Sequence, residues 1–143
     1  MVFRSMMEMT ICFKSEKENI ANVRNMIATI AANKNQTLTF INELKTIVSE
    51  AITNSIVHGY KDDNNGEIIV KVMTDNKGIY LSIIDFGCGI ADVEKAREIM
   101  FSTLKDNERS GLGFTIMEVF STTFDVKSTE GEGTILDIYK EFE

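Results

Sequence analysis

The stretch IYLSIIDFGCG, residues 79–89, runs from an apolar segment directly into an aspartate and a pair of glycines. Its first residues favour a β-strand that ends at Asp85. An Asp-x-Gly sequence after a strand is also common in ordinary turns. A carboxylate there can accept a hydrogen bond from an exocyclic amine such as adenine N6, and Gly87 and Gly89 would let the ring lie against the backbone. The stretch alone leaves both interpretations open.

Two more glycine pairs follow, Gly111-Leu112-Gly113 and Gly131-Glu132-Gly133. The first closes the run from Glu108 to Gly113, just before a predicted helix. The free N–H groups of a helix start and the guanidinium of Arg109 can hold distal phosphates. A single glycine pair also serves plain turns. Three ordered pairs favour a phosphate-bearing ligand much more strongly.

A polar line lies upstream of the glycine pairs, on the predicted helix 39–57. Steps of 100° per residue put Glu43, Glu50 and Asn54 on nearly one line beside an apolar stripe. Such a line is most often a solvated face, because charged residues usually face water. Alternatively, the Asn54 carbonyl oxygen suits Mg²⁺ and Glu50, one turn away, can accept a proton. The pair therefore predicts a catalytic site if the ligand carries phosphates.

Composition limits the function classes. The chain has 143 residues, the length of one domain (1–143), and a formal net charge of −7, which argues against a nucleic-acid surface and favours a basic partner. No apolar run approaches the length of a membrane helix, and residues 1–5 do not resemble a signal peptide, so we expect a cytoplasmic protein with no membrane contact. Cys12 and Cys88 lie far apart with one histidine in the chain, so we expect reduced thiols and no zinc site.

The hydrophobic periodicity predicts an α+β fold, a two-layer sandwich in which helices cover a mainly antiparallel sheet. Ser15 is predicted to cap the first helix with Glu18 as its capping-box partner, and His58 to cap the end of the second. The predicted elements are a strand 7–14, a helix from Ser15 that fades near 33–35, a helix 39–57, strands 67–74 and 79–85, a helix 92–100, an irregular stretch 101–111, a helix 114–120, and strands 123–129 and 134–142.

Taken together, the motifs resemble those of the GHKL ATPase superfamily. The matching parts are Glu50-x-x-x-Asn54, Asp85-x-Gly87-x-Gly89, the turn from Ser110 to Gly113, and Gly133-Thr134. Within that superfamily, residues 48–60 and 108–118 are similar to the anti-sigma factor kinases of sporulation. The resemblance covers nearly the whole chain. It implies a Bergerat ATP-binding fold, a homodimer, an ATP or ADP ligand with Mg²⁺, a sporulation sigma factor as the restrained partner, and an anti-anti-sigma factor phosphorylated on serine.

The resemblance also implies a role for each matching residue. Glu50 is expected to be the general base and Asn54 to hold Mg²⁺ while it contacts the nucleotide, and Asp85 is expected to bind the adenine amine. The remaining expected nucleotide contacts are Gly87, Gly89 and Thr134 around the base, and Thr103, Arg109, Ser110, Gly111, Leu112 and Gly113 near the phosphates.

Three features depart from the family pattern, one of which is a loop around residues 33–37 that is about two residues longer. Ser102-Thr103-Leu104-Lys105 stands where a Thr-Thr-Lys-Pro run is expected, and Asn22, rather than Arg24, aligns with a partner-surface arginine. Three other functions compete with the sporulation kinase: a nucleotide-dependent binding module without kinase activity, a general stress anti-sigma kinase, and, least favoured, a Rossmann domain, since the required third glycine after Gly89 is missing.

Overall fold

The computed structural model of the protein describes residues 6–98 and 112–143 and shows one five-stranded sheet. Its order is β1-β2-β3-β5-β4, and every neighbouring pair is antiparallel. The strands are β1 (Met7–Lys14), β2 (Glu67–Thr74), β3 (Gly78–Asp85), β4 (Thr123–Thr129) and β5 (Gly133–Glu141). The sequence prediction is confirmed, with each strand end within one residue. A Rossmann domain is excluded, because that fold needs a parallel sheet.

The helices in the described residues are α1 (Glu18–Asn33), α2 (Leu38–Asn54), α3 (Val93–Glu98) and α4 (Leu112–Phe120), and α2 continues into a π-helical turn, Ser55–Gly59. Thr37 caps α2, because its hydroxyl accepts a hydrogen bond from the Phe40 N–H at 3.1 Å. The prediction of one regular helix over 39–57 is wrong at its C-terminal end, because residues 55–59 form the wider π-helical turn. Helix α4 starts two residues earlier than predicted. Of the predicted helix 92–100, the structure shows α3, Val93–Glu98. Residues 99–100 and the stretch 101–111 lie outside the described residues.

Ser15 does not cap α1, contrary to the prediction, and Glu18 is not its capping partner. Lys17 precedes the helix and makes no side-chain cap. The buried Ser15 hydroxyl instead donates to the Asp63 carbonyl at 2.5 Å and accepts from the Gly66 N–H at 2.9 Å. Ser15 thus joins the end of β1 to the loop before β2, and that long-range contact outweighs the local capping motif.

The hydrophobic core lies between the sheet and helices α1, α2 and α4. Strand residues at every second position face these helices and are buried, for example Val70, Leu81 and Leu136. Helix α2 supplies the other side through residues such as Phe40 and Leu44, both fully buried. Burying such a side chain contributes roughly 1.5–3 kcal/mol. Helix α2 packs against both α1 and α4, so it is the central helix of the layer.

A buried lysine connects α4, α2 and β5. The Lys140 ammonium donates to the Glu43 carboxylate at 3.0 Å and to the Phe120 carbonyl, at the end of α4, at 2.7 Å. Lys140 is 7% exposed and its ammonium also lies 4.8 Å from the centre of the Phe40 ring. Glu43, placed on the polar line of α2 by the sequence, is therefore a structural partner of Lys140.

Strand β1 forms one edge of the described sheet. Its alternate residues Met7, Met9, Ile11 and Phe13 are only half-buried, while the residues between them are exposed. Met6 and Met26 expose further apolar surface, 55% and 44% respectively.

Both cysteines are free. Among the described helices, none has the length and apolar character needed to span a lipid bilayer.

Candidate nucleotide site

Asp85 is the last residue of the central strand β3, and its carboxylate is buried with only 3% of the residue exposed. Burial raises the pKa of this carboxyl, while hydrogen bonds from the Gly87 backbone, the Ser55 hydroxyl and the Thr134 backbone act in the opposite direction. The Gly87 N–H donates to Oδ1 at 3.0 Å. Asp85 is thus a fixed hydrogen-bond acceptor at the end of the sheet.

The π-helical turn lies directly over Asp85. In it the Tyr60 N–H bonds to the Ser55 carbonyl, five residues back, at 2.9 Å. A Cβ atom placed on Gly59 would lie 3.1 Å from the Asp85 carboxylate. Such π-helical segments often occur at functional sites, because the extra residue per turn redirects the side chains that follow. Here the widened turn brings Ser55 and Gly59 to the same carboxylate.

The turn after Asp85 requires glycine at positions 87 and 89. A Cβ on Gly87 would lie 2.2 Å from the Gly59 carbonyl oxygen, closer than any contact allows. Gly89 has φ of +71°, and a Cβ there would lie 2.1 Å from the Thr129 carbonyl oxygen. The Cys88 N–H donates to Gly59 at 2.8 Å and its carbonyl accepts from Gly131 at 2.7 Å. The turn is therefore held between the π-helical turn and the β4–β5 hairpin.

Three polar residues lie side by side on neighbouring strands and face the helices. Asp85 on β3 pairs with Thr134 on β5, which pairs with Ser128 on β4. Thr134 is 4% exposed, and its hydroxyl oxygen lies 2.8 Å from the Ser128 hydroxyl oxygen. We call these three residues the polar row. It extends the polar surface at Asp85 across the sheet.

Glu50 and Asn54 lie on α2, one turn apart, before the π-helical turn. Both are half-buried, and burial raises the pKa of the Glu50 carboxyl. Glu50 lies next to the start of α4, since a Cβ on Gly113 would be 2.8 Å from its Oε2 atom. The first N–H groups of a helix favour anions, so phosphates and Glu50 would share this end of the site.

The residues present fit a magnesium ion. Within the described part of the chain, neither Glu50 nor Asn54 makes a side-chain hydrogen bond. No described residue therefore occupies the Asn54 amide oxygen, which can bind a metal ion. Mg²⁺ typically takes one or two protein oxygens and completes its shell with phosphate oxygens and water. A site with one asparagine oxygen beside a phosphate-binding helix start suits this preference.

Of the residues predicted from sequence, the structure brings Asp85, Gly87, Gly89 and Thr134 together at the sheet end, and Glu50 next to Gly113 at the α2–α4 contact. Asn54 lies one turn beyond Glu50 on α2. Leu112 is the first residue of α4. The other predicted phosphate contacts, Thr103, Arg109, Ser110 and Gly111, lie outside the described residues.

Comparison with known proteins shows the family of this chain. The profile of the histidine kinase-like ATPase domain matches residues 13–140. The anti-sigma F factor of Clostridium beijerinckii is 41% identical over 135 residues, which cover 94% of this chain and 94% of that protein. This chain belongs to the anti-sigma F factor family of histidine kinase-like ATPase domains. The anti-sigma F factor of Thermoanaerobacter sp. is 40% identical over 98% of this chain and 96% of its own length.

A solved structure shows the same fold. The histidine kinase domain of the blue-light activated histidine kinase from Erythrobacter litoralis aligns with this chain at a TM-score of 0.56 and 18% sequence identity. The alignment covers 88% of this chain and 60% of that structure's chain. The family model and the curated relatives confirm the GHKL resemblance, and the solved structure agrees in fold. An ATPase domain binds a nucleotide, so membership of the family implies nucleotide binding.

Sequence reasoning missed three residues that shape the site. Ser55 donates to Asp85. The Tyr60 hydroxyl accepts from the Phe86 N–H at 2.7 Å and donates to the Glu67 carbonyl. Ser128 contacts Thr134. The only local signal was the position of Ser55 next to Asn54, since the partners of Tyr60 and Ser128 depend on strand register.

Proposed function

We propose that this chain binds and inhibits a sporulation sigma factor and uses Mg-ATP to phosphorylate a serine of an anti-anti-sigma factor. One observation carries the proposal: helix α2 and its π-helical turn connect the buried acceptor Asp85 with a Glu50 carboxylate at the start of α4. The names of relatives about 40% identical over nearly the whole chain support the anti-sigma role.

The nucleotide would lie along α2. Its adenine amine would donate to Asp85, with Gly87, Gly89 and Thr134 around the base. Its phosphates would reach the N–H groups at Leu112 and Gly113, and the resemblance adds Thr103, Arg109, Ser110 and Gly111 on that side. Asn54 would hold Mg²⁺, which supplies neutralisation of phosphate charge when bound.

In the proposed reaction, the oxygen of the partner's serine hydroxyl forms a bond to the γ-phosphorus. The bond from that phosphorus to the β,γ-bridging oxygen breaks, and ADP leaves with the electron pair. The hydroxyl proton passes to the Glu50 carboxylate. Since burial raises the pKa of Glu50, its carboxylate is a stronger base than an exposed glutamate.

The partner surfaces belong to the proposal as well. We infer a homodimer, supported by the half-buried apolar side chains on the edge strand β1. The net charge of −7 favours a basic partner surface. We further propose one domain over 1–143 and a cytoplasmic location without membrane or nucleic-acid contact.

The test uses the purified chain with radiolabelled ATP, Mg²⁺ and a candidate anti-anti-sigma factor, and a separate transcription assay with the sporulation sigma factor. The expected result is label on a partner serine and inhibited transcription. Label on a general stress partner alone would favour the general stress kinase. Nucleotide-dependent sigma binding without label would favour the silent binding module. Either of these two results contradicts the proposal.

A further inference from the structure

Ser128 has three polar neighbours in the polar row and the turn beside it. The Ile90 N–H lies 2.7 Å from its hydroxyl oxygen, the Gly133 carbonyl oxygen 3.0 Å, and the Thr134 hydroxyl oxygen 2.8 Å. These contacts connect the glycine turn after Asp85 to the start of β5. Among the described residues assigned to the nucleotide, Thr134 is the one that hydrogen-bonds to Ser128, so we argue the effect on the ligand through that residue.

The direction of each hydrogen bond follows from counting protons. A serine hydroxyl has one proton to donate and two lone pairs to accept with. The Ile90 N–H can only donate, and the Gly133 carbonyl can only accept. For all three contacts to be hydrogen bonds at once, the Ser128 proton goes to the Gly133 carbonyl and one lone pair accepts from Ile90. The remaining lone pair faces Thr134, so the Thr134 hydroxyl donates to Ser128.

This count determines what Thr134 offers to a ligand. Having given its only proton to Ser128, the Thr134 oxygen keeps only lone pairs for a ligand beside Asp85. The Asp85 carboxylate is also an acceptor when ionised. The Asp85 carboxylate and the Thr134 hydroxyl oxygen then both need a hydrogen-bond donor from the ligand, either directly or through a bridging water.

We propose that Ser128 is a positioning residue that sets base specificity: it fixes Thr134 as an acceptor, so the pocket favours a purine with an amine at C6 over one with a carbonyl. The inference rests on the proposed nucleotide function. A carbonyl at C6 would face acceptors, and a site built for one hydrogen-bond pattern rejects the opposite pattern because buried polar groups are left unpaired.

The test compares ADP with IDP, which differ only at C6 and N1 of the base, by calorimetry. Without the Ser128 hydroxyl as its acceptor, the Thr134 hydroxyl can rotate and donate its hydrogen to the ligand. In Ser128→Ala, we expect the ADP affinity to fall about three- to tenfold and the IDP affinity to fall less, so that the ADP preference narrows. Ser128→Thr, which keeps the hydroxyl, should retain the preference of the unsubstituted protein.

Two controls separate specificity from folding. Ser82→Ala removes a hydroxyl from the other face of the sheet, where Ser82 donates to Asp137 at 2.6 Å, and should leave the preference unchanged. In a Thr134→Val background, adding Ser128→Ala should cause no further change in the preference, because the hydroxyl that Ser128 orients is gone.

The outcomes distinguish the inference from the function on which it rests. An equal fall in ADP and IDP affinity in Ser128→Ala, a widened preference, or the same narrowing in the Thr134→Val background would each overturn the role of Ser128. Failure of the unsubstituted protein to bind ADP would contradict the proposed function itself.

Discussion

Glu50 and Asp85 are both carboxylates whose pKa is raised by burial, but their surroundings differ. Asp85 accepts hydrogen bonds from the Gly87 and Thr134 backbones and from the Ser55 hydroxyl, which fix its orientation. Glu50 has no such partner among the described residues, and desolvation alone raises its pKa. A held carboxylate suits recognition, and a carboxylate without bound donors suits proton transfer. This difference gives the two residues separate predicted effects.

Glu50→Gln should lower phosphoryl transfer by about 10²–10⁴-fold, the usual contribution of a positioned base, and leave ADP affinity nearly intact. The measurement is initial rate with radiolabelled ATP, beside calorimetry of ADP. Glu8→Gln on the exposed face of β1 is the matched control and should keep full activity. Turnover retained in Glu50→Gln would refute the assignment of the base.

The same variant should also change stability with pH. Because its pKa is raised in the folded protein, Glu50 favours folding below its ordinary pKa of 4.5, and that contribution is lost as pH rises through the raised value. Glu50→Gln removes the desolvated charge, so its Tm should exceed that of the unsubstituted protein at pH 7. The difference should shrink toward pH 4. A difference in Tm that does not vary with pH would contradict the raised pKa.

Asp85→Asn should weaken ATP and ADP binding by about 1.5–3 kcal/mol, the range for a hydrogen bond to a charged group. The preference for ATP over GTP should fall too, because guanine carries a carbonyl where adenine has its amine. Calorimetry with both nucleotides measures this. Asp137→Asn, on the other face of the sheet, provides the control, and unchanged ATP affinity in Asp85→Asn would remove Asp85 from the base pocket.

At this scale the sequence predicted residues whose chemistry is visible in a short motif. Asp85 followed by two glycines, and Glu50 one turn before Asn54, are such motifs. Ser128 and Tyr60 could not be predicted, because a single hydroxyl has no local pattern and its partners lie on other strands.

Among the secondary-structure elements, the C-terminal end of α4 depends on a buried charge in β5. Lys140→Met would keep the apolar stem but leave Glu43 unpaired and the Phe120 carbonyl without its donor. Removing one partner of a buried pair typically costs about 3–5 kcal/mol. We expect a loss of that order, at its lower end because Glu43 is 27% exposed. Urea unfolding measures the change.

Lys127→Met is the matched control for Lys140→Met. Lys127 forms an ion pair with Asp137 at 3.4 Å, but its side chain is 66% exposed. An exposed pair contributes roughly 0–1 kcal/mol. Equal losses in the two variants would show that the burial of Lys140 has no energetic consequence.

The elements also show where local patterns fail. Strand bounds were predicted to within one residue, since alternation continued over whole strands. The first helix start was wrong, because Ser15 bonds to Asp63 and Gly66 instead of to the helix. The π-helical turn was missed too, because apolar spacing does not distinguish it from an α-helical end and its contacts with Asp85 arise only in the folded chain.

For the whole molecule, the edge strand β1 is the contact surface of the inferred homodimer. Met9 is half-buried and points to the helix side, whereas its neighbour Glu8 is exposed on the other face. Met9→Lys should place a charge in the inferred dimer contact and shift the protein to monomers in light scattering. Glu8→Lys should leave the dimer intact. A dimer that persists in Met9→Lys would move the contact away from β1.

The fold as a whole was predictable because its motifs occur in a fixed order along one chain, and the family resemblance turned that order into an architecture. The arrangement of strands was not predictable from spacing alone. Strand β5 joins β3 rather than extending the sheet beyond β4, and that insertion brings Thr134 beside Asp85.

The internal position of β5 has a consequence during protein synthesis. Until residues 133–141 leave the ribosome, β3 pairs with β2 alone, and Asp85 lacks its neighbour Thr134. The C-terminal end of α4 also lacks Lys140, which donates to the Phe120 carbonyl. No earlier part of the chain contains every residue of the proposed adenine pocket, although Glu50 and Asp85 have already been made. On the proposed function, an unfinished copy lacks part of the nucleotide site, so we expect a partner that recognises the nucleotide-bound form to bind only after translation has passed β5.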